Sequence, residues 1–222
     1  MKFPFVKGRL DNAEEWSEIE RVLKAGKPLE YLIRPIVWEG DQYTPLHYAA
    51  EAGDLAVVKE LVENNNIPAD VRTGRCKRTP LHLAALGGHL DVVKYLINHH
   101  AEWGVLDIDG SNGLHYAASG VKKRANTAIV SYMINELGAD AKSLIREKFN
   151  LLHLAIKATN VDLVRYIVRE IPELTSEYKE NVSSPLQFAE FKDEKEIADI
   201  IRKSLQDQQG PCGQLHKNCS IS

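Results

Sequence analysis

The apolar positions between residues 79 and 97 predict two short helices in succession. Leu81, Ala84 and Ala85 share one helical face, and Leu90, Val93, Leu96 and Ile97 follow at i, i+3, i+6 and i+7 with Val92 beside them. Thr79 is a good N-cap, and Pro80 falls at the first helical position, where its missing N–H costs nothing. Gly87-Gly88 separates the two helices, because glycine accepts the left-handed geometry of a helix exit without a Cβ clash. Two helices this short cannot bury their apolar faces alone. They need neighbours.

The chain supplies them. Tyr43-Thr44-Pro45-Leu46-His47-Tyr48-Ala49-Ala50 repeats the opening of this unit, as do Asn112-Gly113-Leu114-His115-Tyr116-Ala117-Ala118, Asn150-Leu151-Leu152-His153-Leu154-Ala155 and Ser184-Pro185-Leu186-Gln187-Phe188-Ala189. Leu46, Leu81, Leu114, Leu152 and Leu186 stand 35, 33, 38 and 34 residues apart. A period near 33 carrying T-P-L-H-x-A is the signature of the ankyrin repeat. Over residues 41–205 the sequence therefore resembles the ankyrin-repeat family. The resemblance implies an all-α solenoid of about five helix–turn–helix units with short β-hairpin fingers.

Outside the clearest repeats the pattern is looser. Residues 11–25 read as a helix with Trp16, Ile19, Val22 and Leu23 on one side, a capping unit for the stack. Residues 32–38 read as an extended connector, so 1–40 form the N-terminal cap and connector. The 38-residue spacing reflects four extra residues within 120–126, about one helical turn, read either as a lengthened loop or helix end or as a basic knob (Lys122, Lys123, Arg124). Asp107-Ile108-Asp109-Gly110-Ser111 has finger-tip turn chemistry, whereas 72–78 departs from it and holds four cations. Ile197, Ile200, Ile201 and Leu205 form the stripe that closes the stack, and 206–222 reads as a flexible tail.

A formal net charge of −3 argues against a nucleic-acid partner. No apolar run approaches the ~20 residues of a membrane span, and the first residues lack the apolar core of a signal peptide. Three cysteines (Cys76, Cys212, Cys219) make no disulfide framework, so a reducing cytoplasm is expected. A monomer is expected as well.

The residues offer little for catalysis. His47, His82, His115 and His153 recur at one repeat position, which spreads them along the stack instead of converging them on a metal. In the family this histidine hydrogen-bonds the hairpin and the neighbouring repeat, so that structural role is implied here. Cys76 sits beside Arg75, Lys77 and Arg78, but the pattern offers it no general base. No phosphate-binding glycine loop or hydrolase motif is present, so neither a catalytic activity nor a cofactor is expected.

A binding module fits better. In ankyrin proteins the partner lies in the concave groove, against the finger tips and the exposed side of the first helices. The resemblance therefore implies Tyr43 and Glu51; Arg75, Lys77, Arg78 and Leu86; Ile108, Asp109 and Ser111; Lys148, Phe149 and Lys157; and Phe191 as contacts, with packing between adjacent fingers the alternative for Tyr43 and Phe149. The cations of the second finger suit an acidic protein partner. The last four residues, Cys219-Ser220-Ile221-Ser222, match a C-a-a-X prenylation signal, with Cys212 placed to take a second lipid. An adaptor tethered to a cytosolic membrane face is the expectation, and it resembles some effectors that intracellular bacteria deliver into host cells. A soluble ankyrin-type inhibitor that occludes an enzyme is the alternative.

Overall fold

The computed structural model describes residues 36–38, 41–64, 67–145, 149–176 and 182–208. The expected capping helix at 11–25 and the tail cysteines Cys212 and Cys219 lie outside them. A short hairpin comes first, β1 (Ile36–Trp38) paired antiparallel with β2 (Asp41–Tyr43), so the last part of the connector is a hairpin arm. Among the described residues ten α-helices follow: α1 (Pro45–Ala52), α2 (Leu55–Lys59), α3 (Pro80–Gly87), α4 (Leu90–Asn98), α5 (Gly113–Ser119), α6 (Lys123–Asn135), α7 (Leu151–Lys157), α8 (Val161–Glu170), α9 (Pro185–Phe191) and α10 (Lys195–Gln208). α2 runs on into a π-helical turn, Glu60–Asn64, and α8 into a 3-10 turn, Pro172–Thr175. The chain divides within α6 into two compact units, Met1–Val130 and Ser131–Ser222.

Each first helix starts where the sequence places a cap. The Thr79 hydroxyl accepts from the His82 N–H, Asn112 from Leu114 and His115, Asn150 from His153, and Ser184 from Gln187. Each such cap stabilises its helix by about 1 kcal/mol. Gly53 and Gly88 then take the left-handed exit geometry of α1 and α3, with φ of 78° and 77°.

Burial follows the repeat. The core of the first unit holds Leu46, Val58, Leu61, Leu81, Leu96, Leu114 and Ile129, all fully buried. In the second unit Met133, Leu152, Ile156, Leu163, Ile167, Ile197 and Ile201 do the same. The stripe on α4 is narrower than its periodicity implies. Val92, Val93 and Leu96 are buried, while Leu90 and Ile97 are half-buried at its edges. On α10 likewise, Ile197 and Ile201 face the core and Ile200 and Leu205 are half-buried.

Two features refine the expected geometry. The four extra residues become helix: α6 has 13 residues against 9 in α4, and the added turn is at its N-terminus. Asn126, in that turn, donates to the Ala85 carbonyl at 2.8 Å and the Leu86 carbonyl at 3.3 Å, tying α6 to the C-terminal end of α3. The second difference is in the fingers. At 72–78 and 107–111 they are turns without strands, closed by Thr73 N–H to Arg78 O (2.8 Å) and Asp107 N–H to Ser111 O (2.9 Å). Their arms are too short to build a ladder.

Candidate protein-binding surface

The repeated histidines are part of the framework. The Thr44, Thr79 and Asn112 N–H groups donate to Nδ1 of His47, His82 and His115 at 3.1, 3.0 and 3.2 Å. With Nδ1 accepting, the ring proton of His47 and His82 sits on Nε2. That nitrogen donates onward, from His47 to the Arg78 carbonyl (3.1 Å) and from His82 to the Val105 carbonyl (2.9 Å). The His47 and His82 rings thus cap their own helices and hold the start of the next repeat. In the second unit His153 Nε2 makes the matching bond to the Ser183 carbonyl, at 2.9 Å. Burial lowers the His82 pKa to about 4 and also lowers that of His153. Among the described residues, no three His, Cys, Asp or Glu side chains gather as a metal site.

The finger tips of the first unit are bound together by one polar chain. The Arg78 guanidinium donates through Nη1 to the Tyr43 hydroxyl (3.1 Å) and through Nε to the Tyr116 hydroxyl (2.9 Å). Tyr116 donates to Asp107 Oδ2 at 2.7 Å, and Asp107 Oδ1 accepts from the N–H groups of Asp109 and Ser111. Burial weighs against the Arg78 charge, yet Tyr116 and Tyr43 hold its pKa above the ordinary value. Burial and the Asp107 hydrogen bond raise that of Tyr116. The Ile108 N–H bonds to the Cys76 carbonyl at 3.0 Å and fixes one tip against the next.

This chain sorts the residues proposed as contacts. Tyr43 is 2% exposed, and its hydroxyl accepts a hydrogen bond from Arg78. Arg78 is half-buried and its donors are engaged within the finger row. Asp109 and Ser111 are half-buried in the Asp107 turn, and Leu86 is half-buried at the end of α3. Arg75, Lys77 and Ile108 do face solvent, and Leu106, which sequence reasoning passed over, joins them at 53% exposure. Glu51 is exposed on α1, and its carbonyl receives a hydrogen bond from His89. In the second unit Lys157 and Phe191 are exposed, Phe149 is partly so, and Lys148 lies outside the described residues.

Lys77, like His100, Thr159 and Asp193, is a non-glycine residue with a positive φ. Its φ is 59°, in the left-handed region, and the residue 33 positions on, at the same place in the next finger, is Gly110 with φ of 77°. A side chain in that conformation costs about 1 kcal/mol relative to glycine. The second finger holds a cation at that position, in the same loop as the exposed Arg72 and Arg75; Ile108, whose N–H bonds to the carbonyl of Cys76 in that loop, and Leu106 are exposed on the next finger. Tip cations with an aliphatic neighbour suit an acidic surface that also offers an apolar group.

The basic insertion is partly absorbed by the fold. Lys122 Nζ lies 3.2 Å from His89 Nε2, which also meets the Glu51 carbonyl at 3.0 Å. Burial, and then Lys122, lower the His89 pKa. Val121 beside it is 77% exposed.

The comparisons agree with the repeat pattern. A family model described as "Ankyrin repeats (3 copies)" matches residues 22–107 and 46–143, together more than half of the 222 residues. The chain is also similar to the palmitoyltransferase AKR1 of the yeast Lachancea kluyveri, with 36% identity over 127 residues. That match covers 55% of this chain but spans only 16% of the length of the curated relative. From the recurring T-P-L-H openings, the histidine bonds between repeats and the family match, the chain belongs to the ankyrin-repeat family.

Proposed function

We propose that this protein is an adaptor whose finger tips in the first unit bind an acidic segment of a partner protein. The observation that carries the reading is Lys77, a cation kept at a backbone position that glycine fills in the next finger. Arg75 and Arg72 extend the positive field, and Ile108 and Leu106 supply an apolar contact beside it. Titration of the full chain with a fluorescent poly-glutamate peptide tests it. Binding that weakens with added salt, and falls at least about tenfold in Arg75→Glu with Lys77→Glu, supports the surface. Equal binding by the wild type and the double variant would refute it.

The tail chemistry supports a tether at a cytosolic membrane face, through prenylation of Cys219 with an acyl chain on Cys212. A single lipid gives only marginal membrane binding, so both positions matter. Among the described residues no helix is long and apolar enough to cross a membrane. The tail would serve equally for a bacterial effector prenylated by its host. Intact-mass analysis after expression in eukaryotic cells, beside Cys219→Ser, is the test, and an unmodified wild-type mass sinks the tether.

A second reading draws on the yeast relative. A repeat segment similar to part of a palmitoyltransferase fits work beside an acyl-transfer protein, presenting its protein substrate. Activity itself does not transfer with a match to one sixth of that protein.

A further inference from the structure

The turn that joins α5 to α6 lies at the opposite end of α5 from the finger tip at 107–111. Val121, Lys122, Lys123 and Arg124 follow one another there, and all four are exposed. Val121 is 77% exposed, and among the described residues no other large apolar side chain on α5, α6 or their turn is exposed.

The fold presents this run on a fixed joint. Gly120 is buried, and a Cβ on it would collide with the Asn126 amide, so only glycine lets Asn126 close over the turn. Asn126 in turn donates its N–H to the Lys122 carbonyl at 3.0 Å, while its side chain holds the end of α3. The Lys122 stem passes over Gly88 and brings Nζ to 3.2 Å from His89 Nε2. That nitrogen already donates to the Glu51 carbonyl, so it has no lone pair left for the ammonium. Lys122 forms no ion pair with a described carboxylate, and the first turn of α6 contains no acidic residue. On α4, Asp91 is turned to its own helix, where Oδ1 accepts the Val92 N–H at 2.9 Å.

Three cations therefore surround one aliphatic tip that protrudes from the protein. A protein anchor would need a pocket with apolar walls, and a lone protruding valine supplies none. A lipid surface needs none. It is anionic at the headgroups and apolar just beneath, which matches cations set around an apolar tip.

We infer that the α5–α6 turn docks on an anionic bilayer, with Val121 entering the headgroup boundary and Lys122, Lys123 and Arg124 meeting the lipid phosphates. This goes beyond the tether reading and does not require Cys219 to be modified in cells. A lipidated tail would raise the local concentration of the turn at the membrane.

The test supplies the tether chemically. The full chain with Cys76→Ser and Cys212→Ser is coupled at Cys219 to an acyl maleimide and sedimented with vesicles of phosphatidylcholine, with and without about 30% phosphatidylserine. One acyl chain alone holds the protein only marginally, so the contribution of the turn can be read above it. Phosphatidylserine should strengthen binding at least about tenfold. Lys123→Glu with Arg124→Glu should lose that gain and leave binding to pure phosphatidylcholine unchanged. Val121→Ser should weaken binding to the anionic vesicles about threefold. Glutamates suit the first turn of a helix, so the double variant should keep the wild-type melt. Lys123→Gln with Arg124→Gln, which adds no new charge, should lose a smaller part of the gain. The inference is overturned if phosphatidylserine gives no gain, or if both double variants keep it in full. It is also overturned if Arg75→Glu with Lys77→Glu abolishes the gain instead, or if the turn variants lose poly-glutamate binding but keep vesicle binding. An unmodified Cys219 in cells would sink the natural tether and leave this result standing.

Discussion

His82 makes the stability of the first unit depend on acid in a way that can be calculated. Its ring is fully buried, accepts from the Thr79 N–H, donates to the Val105 carbonyl and stacks on Tyr116 with centroids 4.7 Å apart. A proton on Nδ1 would face an N–H donor, so protonation is resisted twice, by burial and by geometry. The pKa falls from its ordinary 6.5 to about 4. Between those values the unfolded chain binds the proton and the folded chain does not, so stability is full above pH 6.5 and is lost as pH falls towards 4. At pH 4.5 the loss from this one group is about 2.5 kcal/mol, at 1.36 kcal/mol per pKa unit. Urea unfolding followed by tryptophan fluorescence reads it selectively, because Trp103 lies in the first unit and residues 131–222 contain no tryptophan. His82→Gln should cost about 2–3 kcal/mol at pH 7, through two hydrogen bonds and the stacking. It should also shrink the loss between pH 7 and pH 4.5 by about 2.5 kcal/mol. Some slope will remain, since the His89 pKa is lowered too. An unchanged pH slope in the variant would refute the argument.

Other substitutions probe separate joints. Gly53→Ala places a Cβ into the His89 ring at a φ of 78°, and should lower stability by about 3 kcal/mol in the same urea assay. Lys77→Gly should relieve strain and stabilise by about 0.5–1 kcal/mol while weakening poly-glutamate binding several-fold, a trade visible in paired melting and titration. Asn126→Ala removes the side-chain donor to the Ala85 and Leu86 carbonyls, and should cost about 1–2 kcal/mol by urea unfolding.

The repeat was legible because its punctuation is local. Thr79-Pro80, Asn112 and Ser184 cap helices by their own chemistry, and the spacing of the leucines fixes which face is buried. The fates of neighbouring finger residues were not legible in the same way. Arg78 and Lys77 are adjacent cations, yet one is committed to Tyr43 and Tyr116 and the other faces water. That outcome depends on where two tyrosines from other repeats sit, which no local pattern encodes. The place of Tyr43 next to the T-P-L-H motif fits either a contact or packing between fingers, and in the structure it is 2% exposed. The π-helical turn at Glu60–Asn64 likewise left no sequence sign, since its apolar residues fit an ordinary helix.

The extra turn of α6 also marks where this scaffold accepts new material. Four residues were accommodated by lengthening a helix outward, with Ile129 and Val130 still buried below it and Asn126 still docked on α3. Growth at this joint left the interior undisturbed, and Val121 stands in solvent at its lip. A peptide epitope or fluorophore grafted between Gly120 and Lys122 should therefore ride outside the core, giving a reporter position remote from the finger tips whose occupancy it would be used to follow.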